Sequence, residues 1–217
     1  MAYPSTAFLQ QNFPGLQRLC AGLFYRWPIG IRFDLQGEHP IYLDANHHSY
    51  DERYFQEVIQ RASDLFKAAF QPTDEVLVIY QKPTAKRQRI RNTEYLLRQL
   101  GIAASAIAFQ RIDSHYLYGN YGSSWIRMYH ATTAAAIPYP KLATAIANQD
   151  FGHRTPRTDG DVFFLNLSRD LIFHMYDDRG LDIVAADKSI LRPLFETYNS
   201  WIMTFDREQV EATFSEV

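Results

Sequence analysis

Read from the N-terminus, the spacing of apolar positions changes several times, and each change predicts an element. Leu16, Leu19, Cys20, Leu23 and Phe24 recur at i, i+3, i+4, i+7 and i+8, so the first 27 residues read as an amphipathic helix with Pro14 suited to its first turn. From Ile29 to Gln36 the period falls to two. Ile31, Phe33 and Leu35 share one face and Arg32 and Asp34 the other, which predicts a half-buried strand, with Pro40 to Leu43 as its short partner. Ser49-Tyr50-Asp51-Glu52 has the form of a capping box. The stripe Tyr54, Phe55, Val58, Ile59, Ala62, Leu65, Phe66 and Ala69 then predicts a long helix.

Glu75 to Tyr80 is a continuous apolar run rich in β-branched residues, the pattern of a strand covered on both faces. A short helix from Asn92 to Leu100, ended by Gly101, follows, then strands over Ala106–Ile112 and Ser124–Ala131 and a helix over Pro138–Asn148. The last third reads as a three-stranded meander: Asp161 to Asn166, Leu171 to Tyr176 and Leu181 to Ala186, joined by turns too short for anything but antiparallel neighbours. Asp187 starts a helix whose regular part is expected to begin late because of Pro193, and Asp206 is expected to cap a final one. The expectation is one α+β domain over 1–217, with parts at 27–150 and 151–217. It is built on a mixed, mainly antiparallel sheet with packed helices.

Composition narrows the class. Of the 217 residues, 47% are hydrophobic and 21% charged, so the chain is not disordered. Lys and Arg number 22 against 24 Asp and Glu, a net charge of −2, which excludes a generic polybasic nucleic-acid binder. The single cysteine, Cys20, excludes an internal disulfide and lies among apolar positions, as a core thiol would. No secretory pattern opens the chain, and no window reaches the roughly 18 apolar residues of a membrane helix. A cytoplasmic protein with no cofactor and no membrane partner is expected.

The candidate chemistry lies in four places. Asp177, Asp178 and Asp182, with His174 before them, could hold a divalent cation through hard oxygen ligands. The same residues, with Arg179 to neutralise a carboxylate and Gly180 to supply a positive φ, also make an ordinary hairpin turn. His47, His48 and Asp51 could ligate zinc, although the spacing matches no zinc pattern and a loop into a capped helix explains it. Lys82 to Arg91, with Lys86, Arg87 and Arg89, carries no acid and could meet an acidic partner or phosphates, or simply be solvated. His115, Tyr116, Tyr118, Tyr121 and Trp125 bring rings of the kind concentrated at interfaces. None of the GxSxG, HExxH or phosphate-cradling glycine patterns occurs.

The run from Phe173 to Asp182 (Phe-His-Met-Tyr-Asp-Asp-Arg-Gly-Leu-Asp) resembles a bacterial domain-of-unknown-function family, number 3885. Arg192-Pro193-Leu194 to Trp201 and Phe205-Asp206-Arg207 resemble it too. The likeness covers about residues 150–215 closely and extends diffusely from Trp27. It implies a bacterial source and a small stand-alone protein, and it supplies no reaction. By analogy with other small bacterial proteins, it suggests an immunity protein that neutralises a toxin. The leading expectation is therefore a non-enzymatic protein-binding module. Its partner, a protein such as a cognate toxin, would be occluded through Lys86, Arg87, Arg89, Tyr118, Tyr121, Trp125, Asp177, Asp178 and Arg179. The alternatives are a metal-dependent hydrolase using His174, Asp177, Asp178 and Asp182, and nucleic-acid binding through the basic loop 82–91.

Overall fold

Seven strands form one sheet: β1 (Gly30–Asp34), β2 (Glu75–Thr84), β3 (Ala108–Asp113), β4 (Ser124–Thr133), β5 (Asp161–Asn166), β6 (Leu171–Met175) and β7 (Gly180–Ala185). Among the described residues, six helices accompany them: α1 (Pro4–Asn12), α2 (Glu52–Ala69), α3 (Tyr95–Gln99), α4 (Tyr139–Ala147), α5 (Lys188–Thr197) and α6 (Arg207–Phe214). The structure is a computed structural model and describes residues 4–16, 18–84, 95–103, 108–113 and 124–215. The strand order is β1-β7-β6-β5-β2-β4-β3, and every pairing is antiparallel. The α+β class is as the sequence implies. The helical connection from β1 to β2 makes no parallel pair, because these strands lie four places apart in the sheet.

The sheet is covered on both faces by different means. Phe33, Val78, Tyr80, Phe164, Phe173 and Ile183 point to one face and pack against α2, α4, α5 and α6 through Phe55, Phe66, Leu142, Leu191 and Val210. Three rings, Phe66, Tyr139 and Phe70, stack at this layer's centre, with centroids 4.1 and 4.3 Å from Phe66. Leu77, Ile79, Phe163, Leu165, Ile172 and Val184 point to the other face and meet Phe8, Phe13, Leu16, Leu19 and Leu23 of the N-terminal segment. The double burial of β2 is what its unbroken apolar run requires.

The N-terminal segment corrects one expectation. Helix α1 ends at Asn12, and among the described residues Leu16 and 18–24 form an irregular strap with a 3₁₀ turn at Leu23–Tyr25. The helical spacing of these leucines reflects burial against a flat sheet, which accepts an extended strap as readily as a helix. Left-handed glycines at Gly15 and Gly22 (φ 106° and 77°) let the strap turn. Trp27 Nε1 donates to the Ala185 carbonyl at 2.7 Å and so ties the strap to β7.

Local capping differs from expectation in three places. Asp51, not Ser49, caps α2, its carboxylate accepting from Arg53 N at 3.0 Å, while Glu52 is taken by Arg154 from across the structure. Asp187 caps α5 as expected, and with its first turn anchored at Ser189 N the helix starts at Lys188 and carries Pro193 inside. Asp206 precedes α6 without a capping bond, because its carboxylate faces Tyr25 and Arg32 instead. The strand β1 takes β7 as its partner rather than Pro40–Leu43, where Tyr42 makes only a bridge to Tyr50. Among the described residues, no helix is long and apolar enough to cross a membrane.

Candidate functional site

The face of the sheet under the N-terminal strap turns polar at its β1-β7-β6 end. Three residues stand in a row there because the registers align them: Arg32 opposite Asp182, and Asp182 opposite His174. The alternation that buries Ile31 and Phe33 against the helices necessarily points Arg32 the other way.

Arg32 is the hub. Its Nε donates to Tyr176 Oη at 3.1 Å and its Nη1 to Tyr25 Oη at 2.6 Å. The same guanidinium lies 3.6 Å from Asp182 Oδ1 and 3.5 Å from Asp206 Oδ2, and is flanked by the Tyr25 and Tyr176 rings. One cation therefore serves two buried carboxylates and joins the strap, three strands and the segment before α6. Asp182 is wholly buried and accepts from Phe24 N at 3.3 Å; burial raises its pKa to about 6 against the pull of that bond and of Arg32. His174 is also wholly buried, stacks on Phe163 at 4.1 Å, and neither ring nitrogen has a hydrogen-bond partner. Burial holds it neutral, with a pKa lowered to about 4 even though Asp161 and Asp177 pull the other way. Tyr176 is pushed up to about 12, first by burial.

The turn after β6 bonds most of its own polar groups. Asp177 accepts from Arg179 N at 2.8 Å and from the Arg179 guanidinium, so the turn is closed by its own ion pair. Asp178 accepts from Tyr54 Oη at 2.5 Å, on the helix-covered side of the sheet, and its pKa is raised by burial. The four residues considered for a hydrolase are thereby divided. His174 and Asp182 lie on the strap side, and Asp178 reaches α2 on the other. The strand ends at Met175, so the face shared by His174 does not continue to Asp178. Among the described residues, Asp150, Asp177 and Asp178 are the group of three acids whose oxygens come within 4.8 Å of one another. Asp150 was not anticipated, and the other two carboxylates are already bonded to Arg179 and Tyr54. At the second metal candidate, His47 stacks on Tyr42 and Asp51 is held by Arg53, so no zinc set assembles.

Gly180 does not have a positive φ, contrary to the turn expectation. Its role is close approach: a Cβ there would lie 2.6 Å from the Phe33 carbonyl oxygen and would collide with Tyr176 Oη. Gly180→Ala is expected to lower stability by about 1–3 kcal/mol through overpacking, read as a shift in the urea midpoint. An unchanged midpoint would show that β1 and β7 can separate at no cost.

Beside the turn lies an open cleft of about 750 Å³, whose walls include Arg32, Trp125, Asp161, Tyr176, Asp177 and Arg179. Trp125 reaches it because β4 runs beside β2, opposite Pro83. The structure thus brings together Trp125, Asp177 and Arg179, three of the residues expected to meet a partner, and adds Arg32, Asp161 and Tyr176. Arg32 and Asp161 stand at strand positions whose alternation marks them as polar-facing, and only the strand order shows that they converge. Asp178 is turned away from the cleft. Lys86, Arg87 and Arg89 of the basic loop, and Tyr118 and Tyr121, lie outside the described residues. Lys82, at the loop's start, is paired with Asp159 at 3.0 Å. Tyr25, 53% exposed, bonds both Arg32 of the cleft wall and Asp206, and Phe205, next to Asp206 in the chain, is 88% exposed.

No solved structure matches the chain. The chain is similar to the uncharacterized protein YnaE of Bacillus subtilis (strain 168), with 26% identity over 211 residues that span 90% of this chain and 95% of the relative. A family model described as a domain of unknown function, DUF3885, matches residues 6–206, a span that takes in the strap, the whole sheet and the Arg32 hub. The chain belongs to the DUF3885 family.

Proposed function

We propose that the chain is a protein-binding module that acts by occlusion, with the cleft beside the Asp177–Gly180 turn as its contact surface. The observation that carries this reading is a set of rings: a half-exposed tyrosine bonded to cleft-lining Arg32, an almost fully exposed phenylalanine beside the Asp206 that the tyrosine also bonds, and Trp125 in a cleft with Arg179. Aromatics and arginine supply most of the binding energy at protein interfaces, and a large ring left in water favours a surface that covers it. The carboxylates of the turn support the same reading. Asp177 is bonded to Arg179 and Asp178 to Tyr54, so both carboxylates already serve internal bonds.

The expected partner is a protein, and the proposed biological role is that of an immunity protein whose bound toxin has its active site covered. The test is capture of a stoichiometric partner by the tagged chain, compared with Phe205→Ala and Arg179→Glu variants whose far-UV spectra match the parent. Each substitution is expected to weaken the complex by about 2 kcal/mol or more, roughly 30-fold in Kd. Co-expression should relieve growth inhibition by the captured partner, and the variants should relieve it poorly. Capture that is indifferent to both substitutions would overturn the assignment of this surface. A partner that causes no growth inhibition would overturn the immunity role and leave the surface standing.

A further inference from the structure

A second cleft, also about 750 Å³, opens on the far side of the strap, between α1 and the β3–β4 edge. Its walls mix an apolar part, with Leu9, Phe13, Leu16 and Ile112, and a polar part that includes Arg111, Arg127 and Tyr129. Arg127 is only 6% exposed. Its Nε and Nη2 donate to Gln81 Oε1 at 2.9 and 2.6 Å, and Nη2 lies 3.5 Å from the Leu19 carbonyl oxygen. All of these acceptors are neutral. Among the described residues no carboxylate stands within ion-pair distance of Arg127, and Nη1 has no acceptor. The nearest link to an acid is indirect: Gln81 passes its own Nε2 to Asp161 at 3.0 Å, across two strands.

A guanidinium cannot shed its charge, and burying it without a counter-ion is costly. A buried arginine on the wall of an open cleft, with only neutral partners among the described residues, is a site with positive charge in hand. The apolar wall beside it sets what the rest of the ligand must be. Small-molecule sites commonly join a mostly hydrophobic lining to one charged group that fixes orientation.

We propose that this cleft binds a small organic anion, a carboxylate with an aliphatic or aromatic body, its head on Arg127 and its body against Leu9, Phe13 and Ile112. The site is separate from the proposed partner surface and does not depend on it.

The probe is octanoate, titrated calorimetrically into the full chain, with octanamide and inorganic phosphate as comparisons. One-to-one binding of octanoate is expected, at least tenfold tighter than either comparison, because the amide lacks the charge and phosphate lacks the body. Arg127→Gln should weaken it at least tenfold, and Arg179→Glu, in the other cleft, should leave it unchanged. Should Arg127→Gln fail to fold, Leu9→Glu on the half-exposed wall replaces it, since it leaves the bonds of Arg127 intact and is expected to abolish octanoate binding. Absence of octanoate binding, equal binding of phosphate or octanamide, or binding that survives whichever of the two wall variants folds would each overturn the proposal.

Discussion

Replacing Arg32 with methionine is expected to destabilise the fold by about 3–5 kcal/mol at neutral pH, the cost of leaving a buried charge without its partner. Two carboxylates, Asp182 and Asp206, depend on this one guanidinium, and both are almost wholly buried. Methionine preserves much of the side-chain volume, so the loss reports charge rather than cavity. Urea denaturation of parent and variant at pH 7 measures it. A second series at pH 5 sharpens the test. Without Arg32 the pKa of Asp182 rises further, so the variant can neutralise it by taking up a proton, and its deficit should shrink by 1 kcal/mol or more. A loss under 1 kcal/mol at pH 7 would mean that water reaches both carboxylates.

The second large effect concerns the dependence of stability on pH, and it is hidden in the parent protein. Asp182 has a folded pKa raised to about 6 from an ordinary value near 4. The folded state therefore binds more protons between these values, and this group's contribution is full in acid and is lost as pH rises through about 6. His174 has a folded pKa lowered to about 4 from 6.5. Here the unfolded state binds more protons, and the contribution is full above about 6.5 and is lost as pH falls toward 4. Each amounts to about 3 kcal/mol at 1.36 kcal/mol per pKa unit, with opposite sign over nearly the same window. The two neighbours cancel.

Single substitutions should uncover them. Measured as the difference from the parent, Asp182→Asn should lose about 3 kcal/mol as pH falls from 6.5 to 4. His174→Leu should gain a similar amount over the same interval. Free energies of unfolding from urea titrations at four or five pH values decide this. Parallel curves for parent and both variants would show that neither group titrates differently in the folded state.

Much of the architecture is legible in the sequence because it follows from local period. The meander and the double burial of β2 are read directly from alternation and from an unbroken apolar run. The stripe of α2 is read from its 3.6 spacing. What escapes is decided by partners distant in the chain. The leucines from Leu16 to Leu23 have helical spacing, yet a flat sheet can bury them from a strap. Asp206 has the position of a cap, yet Tyr25 and Arg32, some 180 residues earlier, claim its carboxylate. Arg32 is marked only as a polar-facing strand residue, and its central place depends on β7 pairing with β1 across 150 residues. The turn at Asp177–Gly180 is legible as a turn, but the bond of Asp178 to Tyr54, on a distant helix, is not. Arg127 sits in a strand with nothing in its sequence neighbourhood to mark it as lacking a counter-ion.

The strap and β1 are made well before the strand that completes them. The docking bonds of Asn12, Phe24 and Trp27 all reach Asp170 or beyond, and β1 has no strand to pair with until residues 180–185 exist. A growing chain must therefore carry Phe13, Leu16, Leu19 and Leu23 without their full cover until β7 has been joined. Contacts that span so much sequence close slowly. The interval in which these apolar side chains lack their full cover is set by the stretch of chain between the strap and β7, and a chain halted before β7 leaves them partly bare.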